Sequence, residues 1–329
     1  MRALVTGANG FLGTKVVAAL IARGHQVTAC VRPSAAIGEL TALGVIDVFR
    51  ADLRTTSDLD SAFKDIDVLV HLAASVTGGE DAQFASTVTG TERLLDAMAR
   101  SRCRRLVLAS SFSVYDWSKI TGTLDESSPI EAGDDLYGRD GYSIAKSWQE
   151  RVARRFAEQH QWDLTVLRPG FIWGRDKAYL AALGQQIGSK LHVVIGPFTR
   201  IPMTHVDNCA DLFALATVDP RAIGQTFNVV DDGGQRVWSF LGDYLKGMKE
   251  TGFRVPVPYS LTYFGVDLLY RRLFNRNNKL PQILIPCRLE SRLKPLTYTN
   301  RRAADVLGWH PPVSYAECLR RTFEPSSAI

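Results

Sequence analysis

The chain has 329 residues, 46% hydrophobic and 22% charged, which are globular proportions that exclude a disordered, collagen-like or coiled-coil chain. At about 150 residues per domain, this length suggests two domains. The net charge of +5 sits entirely in the last 79 residues, where 12 basic side chains face 5 acidic ones, against 27 and 29 in the rest; this is too weak and scattered an excess for a nucleic-acid-binding protein.

Strand and helix patterns alternate over the first 170 residues. A short apolar strand, Arg2–Thr6, runs into a glycine-rich turn, and Phe11–Arg23 follows with helical periodicity before a stop at Gly24. Further strands are expected at Gln26–Val31, Val45–Arg50, Val68–Leu72, Arg105–Ala109 and Leu164–Leu167, with a long helix over Asp81–Arg100. This rhythm predicts βαβ units and a parallel α/β sheet. Beyond Gly170 the rhythm changes. Phe171–Arg200 mixes glycines with a helical patch, His205–Val218 reads as a helix, and Thr226–Val230 reads as a strand suited to the same sheet. The last third is helical, irregular and proline-punctuated.

The five cysteines are scattered, with no CxxC pair, so neither a disulfide framework nor a metal site is expected, and a reducing cytoplasm is. No apolar run reaches the ~18 residues of a membrane span. The glycines near the amino end and Lys15 do not fit a signal peptide.

The strongest motif is Thr6-Gly7-Ala8-Asn9-Gly10-Phe11-Leu12-Gly13, placed between a strand and a helix. Gly7 permits a tight turn, Gly10 lets a diphosphate approach, and Gly13 lets helix pack on strand. Asn9, Phe11 and Leu12 complete the cradle, where free helix-start amides face negative charge. The second strand ends at Arg32 with no acid at its tip, which favours the 2′-phosphate of NADP(H) over NAD(H). Asp52 and Leu53, after the third strand, suit the adenine amino group and ring. Leu72, Ala73 and Ala74, after His71, are small enough for close approach of a cofactor, and His71 itself reads as a packed histidine.

A proton donor is expected beside the nicotinamide. Tyr-x-x-x-Lys spacing places a phenol and an ammonium one helical turn apart, and the cation is expected to lower the phenol pKa from about 10. The spacing occurs at Tyr115…Lys119 and at Tyr142…Lys146. Tyr115 sits in a loop-like segment, whereas Tyr142 opens a helix carrying Ile144, Ala145, Trp148, Val152 and Phe156, so Tyr142 and Lys146 are chosen. Ser110 or Ser111, at the end of the fifth strand, offers a hydroxyl where open α/β sheets bind ligands.

Together these segments resemble the extended short-chain dehydrogenase/reductase family. The resemblance runs through the glycine motif, Asp52-Leu53, His71-Leu72-Ala73-Ala74, Ser110-Ser111 with Val114-Tyr115, and Tyr142-x-x-x-Lys146. It continues through Arg168-Pro169-Gly170 with Gly174, then His205-Val206-Asp207-Asn208 and Phe227-Asn228-Val229. The carboxy-terminal part is most similar to 3β-hydroxysteroid dehydrogenase-like and dihydroflavonol reductase-like members. Thr87 stands where nucleotide-sugar members often carry Asn.

The resemblance implies a Rossmann-type doubly wound parallel sheet, residues 1–170 with 205–235, interleaved with a smaller, mostly helical substrate lobe, 171–204 with 236–329. It implies Ser111, Tyr142 and Lys146 as catalytic residues, with Pro169 also at the cofactor. The implied activity is an NADP(H)-dependent interconversion of a secondary alcohol and a ketone on a lipophilic small molecule. The alternatives are a nucleotide-sugar epimerase or dehydratase with tightly held NAD, and a non-catalytic NADP sensor. A homodimer through the helices at Asp81–Arg100 and Tyr142–Gln159 is a family-level expectation. Apolar Tyr259–Tyr270 is expected to wall the substrate pocket rather than lie on a membrane.

Overall fold

The structure is a computed structural model, describing residues 1–131, 133, 139–183, 185–187, 190–273 and 285–324. Five apolar strands account for the first half: β1 (Arg2–Thr6), β2 (Gln26–Val31), β3 (Asp47–Arg50), β4 (Val68–His71) and β5 (Arg105–Ala109). They alternate with α1 (Phe11–Ala22), α2 (Gly38–Leu43), α3 (Glu80–Phe84) and α4 (Gly90–Arg100). The helix expected over Asp81–Arg100 is thus interrupted: Ala85–Thr89 is a turn of π-helix between α3 and α4. After the short β6 (Thr123–Leu124) come the 20-residue α5 (Gly141–His160) and β7 (Asp163–Pro169).

Phe171–Arg200 departs from expectation. In place of a helical patch its described residues form β8 (Phe171–Trp173), β9 (Gln185–Ile187) and β10 (Leu191–Ile195), with a 3-10 turn at Ala181–Leu183. Apolar, partly β-branched β10 pairs on both edges, which decides its conformation. Then follow β11 (Met203–His205), α6 (Val206–Val218), β12 (Thr226–Val229) and α7 (Val237–Gly247). The chain continues through β13 (Phe253–Val257), α8 (Tyr259–Leu273), α9 (Pro286–Leu293), β14 (Thr297–Tyr298), α10 (Arg301–Leu307) and α11 (Tyr315–Phe323).

The main sheet has seven parallel strands in the order β12-β7-β5-β4-β1-β2-β3. Each strand sends alternate residues to opposite layers. Ala3 and Val5 join Val16, Val17 and Leu20 of α1 and Leu212 and Phe213 of α6. Leu4 and Leu69 join Leu94 and Leu95 of α4 and Val152 and Phe156 of α5. This is a doubly wound Rossmann-type sheet, buried on both faces as parallel sheets are. A second core gathers Trp173, Val194, Phe240, Leu241, Leu289 and Leu293 from the segments on either side of β12.

The order of the strands reverses between β1 and β4, which opens a crevice above their carboxyl ends. Gly7 stands there at φ +68°, and a Cβ on it would lie 3.2 Å from the backbone of Ala73 after β4. A Cβ on Gly13 would lie 2.1 Å from the Gly7 carbonyl oxygen. Gly13→Ala is therefore expected to lower the free energy of unfolding by about 1–3 kcal/mol in a urea titration, the usual cost of overpacking. An unchanged midpoint would show that α1 does not need this close approach.

Candidate active site

A cleft of about 530 Å³ follows that crevice from the β2–β3 edge to the start of α5. All the residues singled out for cofactor contact line it: Gly7, Asn9, Gly10, Phe11, Leu12, Gly13, Arg32, Asp52, Leu53, Leu72, Ala73, Ala74 and Pro169. Ser111, Tyr142 and Lys146 close its inner end. Ser75, Val76, Thr77, Ser86, Ile172 and Lys177 also line it and were not singled out from the sequence.

Helix α1 begins at the cradle with no side-chain cap on its first turn. Its leading amides therefore point at the cleft, where a helix start favours negative charge. At the opposite end Arg32 and Arg54 both face the cleft. Asp52 is held by Arg54, whose Nη2 donates to Oδ2 at 2.7 Å and whose Nε and backbone N donate to Oδ1. This hydrogen-bonded pairing keeps the Asp52 carboxyl below its ordinary range. The aspartate expected to face adenine thus already accepts from Arg54 through both oxygens. An uncapped helix start and an open glycine turn fit the diphosphate of a dinucleotide.

Helix α5 starts because Asp140 caps it, its carboxylate accepting from Ser143 N at 3.0 Å. That places Tyr142 in the first turn, partly buried beside Ser111. The Ser111 hydroxyl hydrogen-bonds the phenol and favours its ionised form, but burial outweighs this and pushes the Tyr142 pKa up. The depression expected from Lys146 is not what the structure gives. The lysine is 2% exposed and turned inward, its Nζ donating to the Ala109 carbonyl at 2.5 Å and to Gln149 Oε1 at 2.6 Å. Burial lowers its own pKa to about 7, against the opposing pull of Glu150.

Gln149, missed from sequence, is fully buried and joins the lysine to β4. Its Nε2 donates to Thr91 Oγ1 at 2.9 Å and to the Ala73 carbonyl at 3.2 Å. His71 lies in the same network, 2.7 Å from Thr6 Oγ1 and 2.8 Å from Thr91 Oγ1, and burial lowers its pKa to about 3. It is a neutral packed histidine at the root of the cleft.

Glu150, one residue on, accepts from Ser110 Oγ at 2.5 Å and from Arg168 Nη2 at 2.6 Å. Both serines line the cleft, but the Ser110 hydroxyl is committed to Glu150, whereas Ser111 meets the Tyr142 phenol. Tyr115 is also interior: its hydroxyl donates to Asn228 Oδ1 at 2.6 Å and its ring lies under the Arg168 guanidinium. Lys119 pairs with Asp116 at 2.6 Å and does not line the cleft. The second Tyr-x-x-x-Lys spacing is therefore a coincidence of sequence.

The model of the NAD dependent epimerase/dehydratase family matches residues 3–229, and the chain belongs to this family of extended short-chain dehydrogenases/reductases. It is 27% identical over 356 residues to a 3beta-hydroxysteroid-dehydrogenase/decarboxylase (isoform 1) of Arabidopsis thaliana, across 99% of this chain and 80% of that one. It is 32% identical over 331 residues to the 4-hydroxy-2-methyl-3-oxo-4-farnesyl-3,4-dihydroquinoline-1-oxide ketoreductase of Stigmatella aurantiaca, across 97% and 95%. UDP-glucuronic acid 4-epimerase of Bacillus cereus, solved with NAD, shares the fold at a TM-score of 0.72 and 20% identity over 98% of this chain and 96% of that one. The chain is an enzyme, an oxidoreductase of this NAD(P)-dependent family.

The buried lysine has a measurable signature. Its pKa falls from 10.5 to about 7 on folding, so the unfolded chain holds the proton more tightly between those values. Stability from this group is lowest below pH 7 and recovers as pH rises toward 10.5. Lys146→Met should therefore be roughly 1–3 kcal/mol more stable than the wild type at pH 7. The difference should shrink as pH approaches 10.5 in parallel denaturant titrations. A variant no more stable at pH 7 would count against a costly buried amine.

Proposed function

We propose that the protein is an NADP(H)-dependent ketoreductase or alcohol dehydrogenase acting on a lipophilic small molecule. The observation that carries this reading is the convergence of Ser111, Tyr142 and Lys146 at the inner end of a dinucleotide-shaped cleft. The wall there is formed by Pro169, Gly170 and Ile172, which suits an apolar substrate. The resemblance to a ketoreductase named for a farnesylated substrate supports the same class.

A nicotinamide bound in the cleft supplies or accepts the hydride. In the reduction direction Tyr142 Oη passes its proton to the carbonyl oxygen, and the Ser111 hydroxyl donates a hydrogen bond to that oxygen. The upward-shifted phenol is held in its acid form near neutral pH, the form a reductase needs. In this reading Lys146, which lines the same end of the cleft, turns from its inward partners Ala109 and Gln149 to stabilise the phenolate left behind. Arg32 and Arg54 stand where the second strand carries no acid, and this supports NADP(H) over NAD(H).

A paired screen of NADPH and NADH oxidation over steroidal, flavonoid and β-keto acid ketones tests the activity. Tyr142→Phe is expected to abolish turnover, by about 10²-fold or more for loss of a proton donor, with cofactor affinity nearly unchanged in a fluorescence titration. Undiminished turnover would remove Tyr142 from the mechanism. NAD that copurifies and resists exchange would point instead to epimerase chemistry.

Arg32→Ser should weaken NADPH binding by about tenfold or more and leave NADH binding near its wild-type value, since one charge-assisted phosphate contact is lost. Equal losses for both cofactors would overturn the proposed preference.

A further inference from the structure

Helix α8 presents apolar side chains on two opposite faces. On one, buried Val266 enters the lobe core with Leu289 and Leu293, and Tyr259 stacks on Tyr263 with ring centres 5.8 Å apart. The other face is open. Leu261, Phe264 and Leu268, spaced three and four apart, are 64%, 67% and 44% exposed, and nothing lies within 4 Å of a Cβ built on Gly265 between them. Phe253 on the preceding strand and Phe198 on the turn before it are exposed as well, at 77% and 72%. Isolated exposed apolar residues are ordinary, but a stripe along one helix face is not.

None of these residues lines the cleft described above. The inward residues pack the lobe, and the outward ones face solvent. The helix ends in two exposed basic residues. Arg271 pairs with Asp267 at 2.8 Å, and Arg272 has no ionic partner among the described residues.

We propose that this outward face of α8 docks on an anionic lipid bilayer. Leu261, Phe264 and Leu268 sink below the headgroups, and Arg271 and Arg272 sit among the phosphates. The helix has 15 residues, and no helix among the described residues is long and apolar enough to cross a membrane, so α8 lies in the plane of the interface. Charge complementarity selects the bilayer over a second copy of the chain. Asp267, the one acid between Ser260 and Leu269, is already paired with Arg271, so the same face of a second copy offers Arg272 no free carboxylate. The inference does not depend on the reaction proposed above.

Cosedimentation of the full chain with vesicles tests it, using phosphatidylcholine alone and phosphatidylcholine mixed with phosphatidylglycerol. The expected result is strong binding to the mixed vesicles, weak binding to the neutral ones, and loss of the difference at high salt. Phe264→Asp should reduce binding to mixed vesicles by roughly tenfold or more, because a charge replaces the inserted ring. Its thermal midpoint should match the wild type, since the side chain it replaces is exposed. The double variant Arg271→Ser with Arg272→Ser should bind both vesicle types equally weakly. Absence of wild-type binding to mixed vesicles overturns the proposal, as does full binding by Phe264→Asp. A dimer that light scattering shows to dissociate in Phe264→Asp also overturns it, assigning the face to a second copy.

Discussion

The ion pair between Glu150 and Arg168 is the constraint on which the site depends. Its partners are 4% and 2% exposed, so neither charge can turn to water for relief. A buried pair of this kind adds little net stability, because desolvation offsets most of the attraction, yet breaking it strands a charge at a cost of about 3–5 kcal/mol. Its effect is therefore to fix geometry. Glu150 is on α5, Arg168 on β7, and Ser110, also bonded to Glu150, at the end of β5. Helix α5 is thereby clamped against two strand ends. Lys146 and Tyr142 lie one and two turns before Glu150 on that helix, so the clamp sets their height over the cleft and their distance from Ser111. Tyr115 and Asn228 extend the clamp to β12, the outermost strand.

Lys146 is the opposite case, a charge-bearing group buried with neutral partners. The Ala109 carbonyl and the Gln149 amide satisfy its hydrogens but do not neutralise an ammonium. The fold accepts that cost at a functional position, as active sites commonly do. The network behind it, Gln149 with Thr91, His71 and Thr6, ties three separate stretches of chain to the root of the cleft.

Much of this was legible in the sequence because it is local. The glycine turn, the apolar strands and the capped start of α5 each declare themselves within a dozen residues. The cofactor-facing positions follow because a parallel sheet delivers its strand ends to one edge. What stayed hidden is set by distant partners. Gln149 meets His71 across 78 residues, and nothing in the helical pattern of α5 marks it as more than a polar interior residue. The upward shift of Tyr142 depends on how deeply its helix is seated, which spacing does not encode. Phe171–Arg200 departs from its pattern because its short strands are stabilised by pairing, β8 with β11 and β10 with β9 and β13, not by their own propensity. The two-sided apolarity of α8 was visible in composition, but which side would be covered was not.

The place of β12 has a consequence for how the protein is made. This strand pairs with β7 through Phe227↔Leu167 and Asn228↔Arg168, yet 56 residues of chain separate Pro169 from Thr226. Those intervening residues include the four strands β8 to β11 and the helix α6 that covers one face of the sheet. As the chain leaves the ribosome, the first five strands can assemble in order, but β7 waits with an unpaired edge until β12 emerges. Arg168 must wait too, because Asn228, the hydrogen-bond partner of the Tyr115 over which it lies, arrives with that strand. The cofactor half and the lobe are therefore not successive folding units. The glycine cradle takes shape early in synthesis, and the Tyr142 end of the cleft is finished only after much of the second lobe has been made.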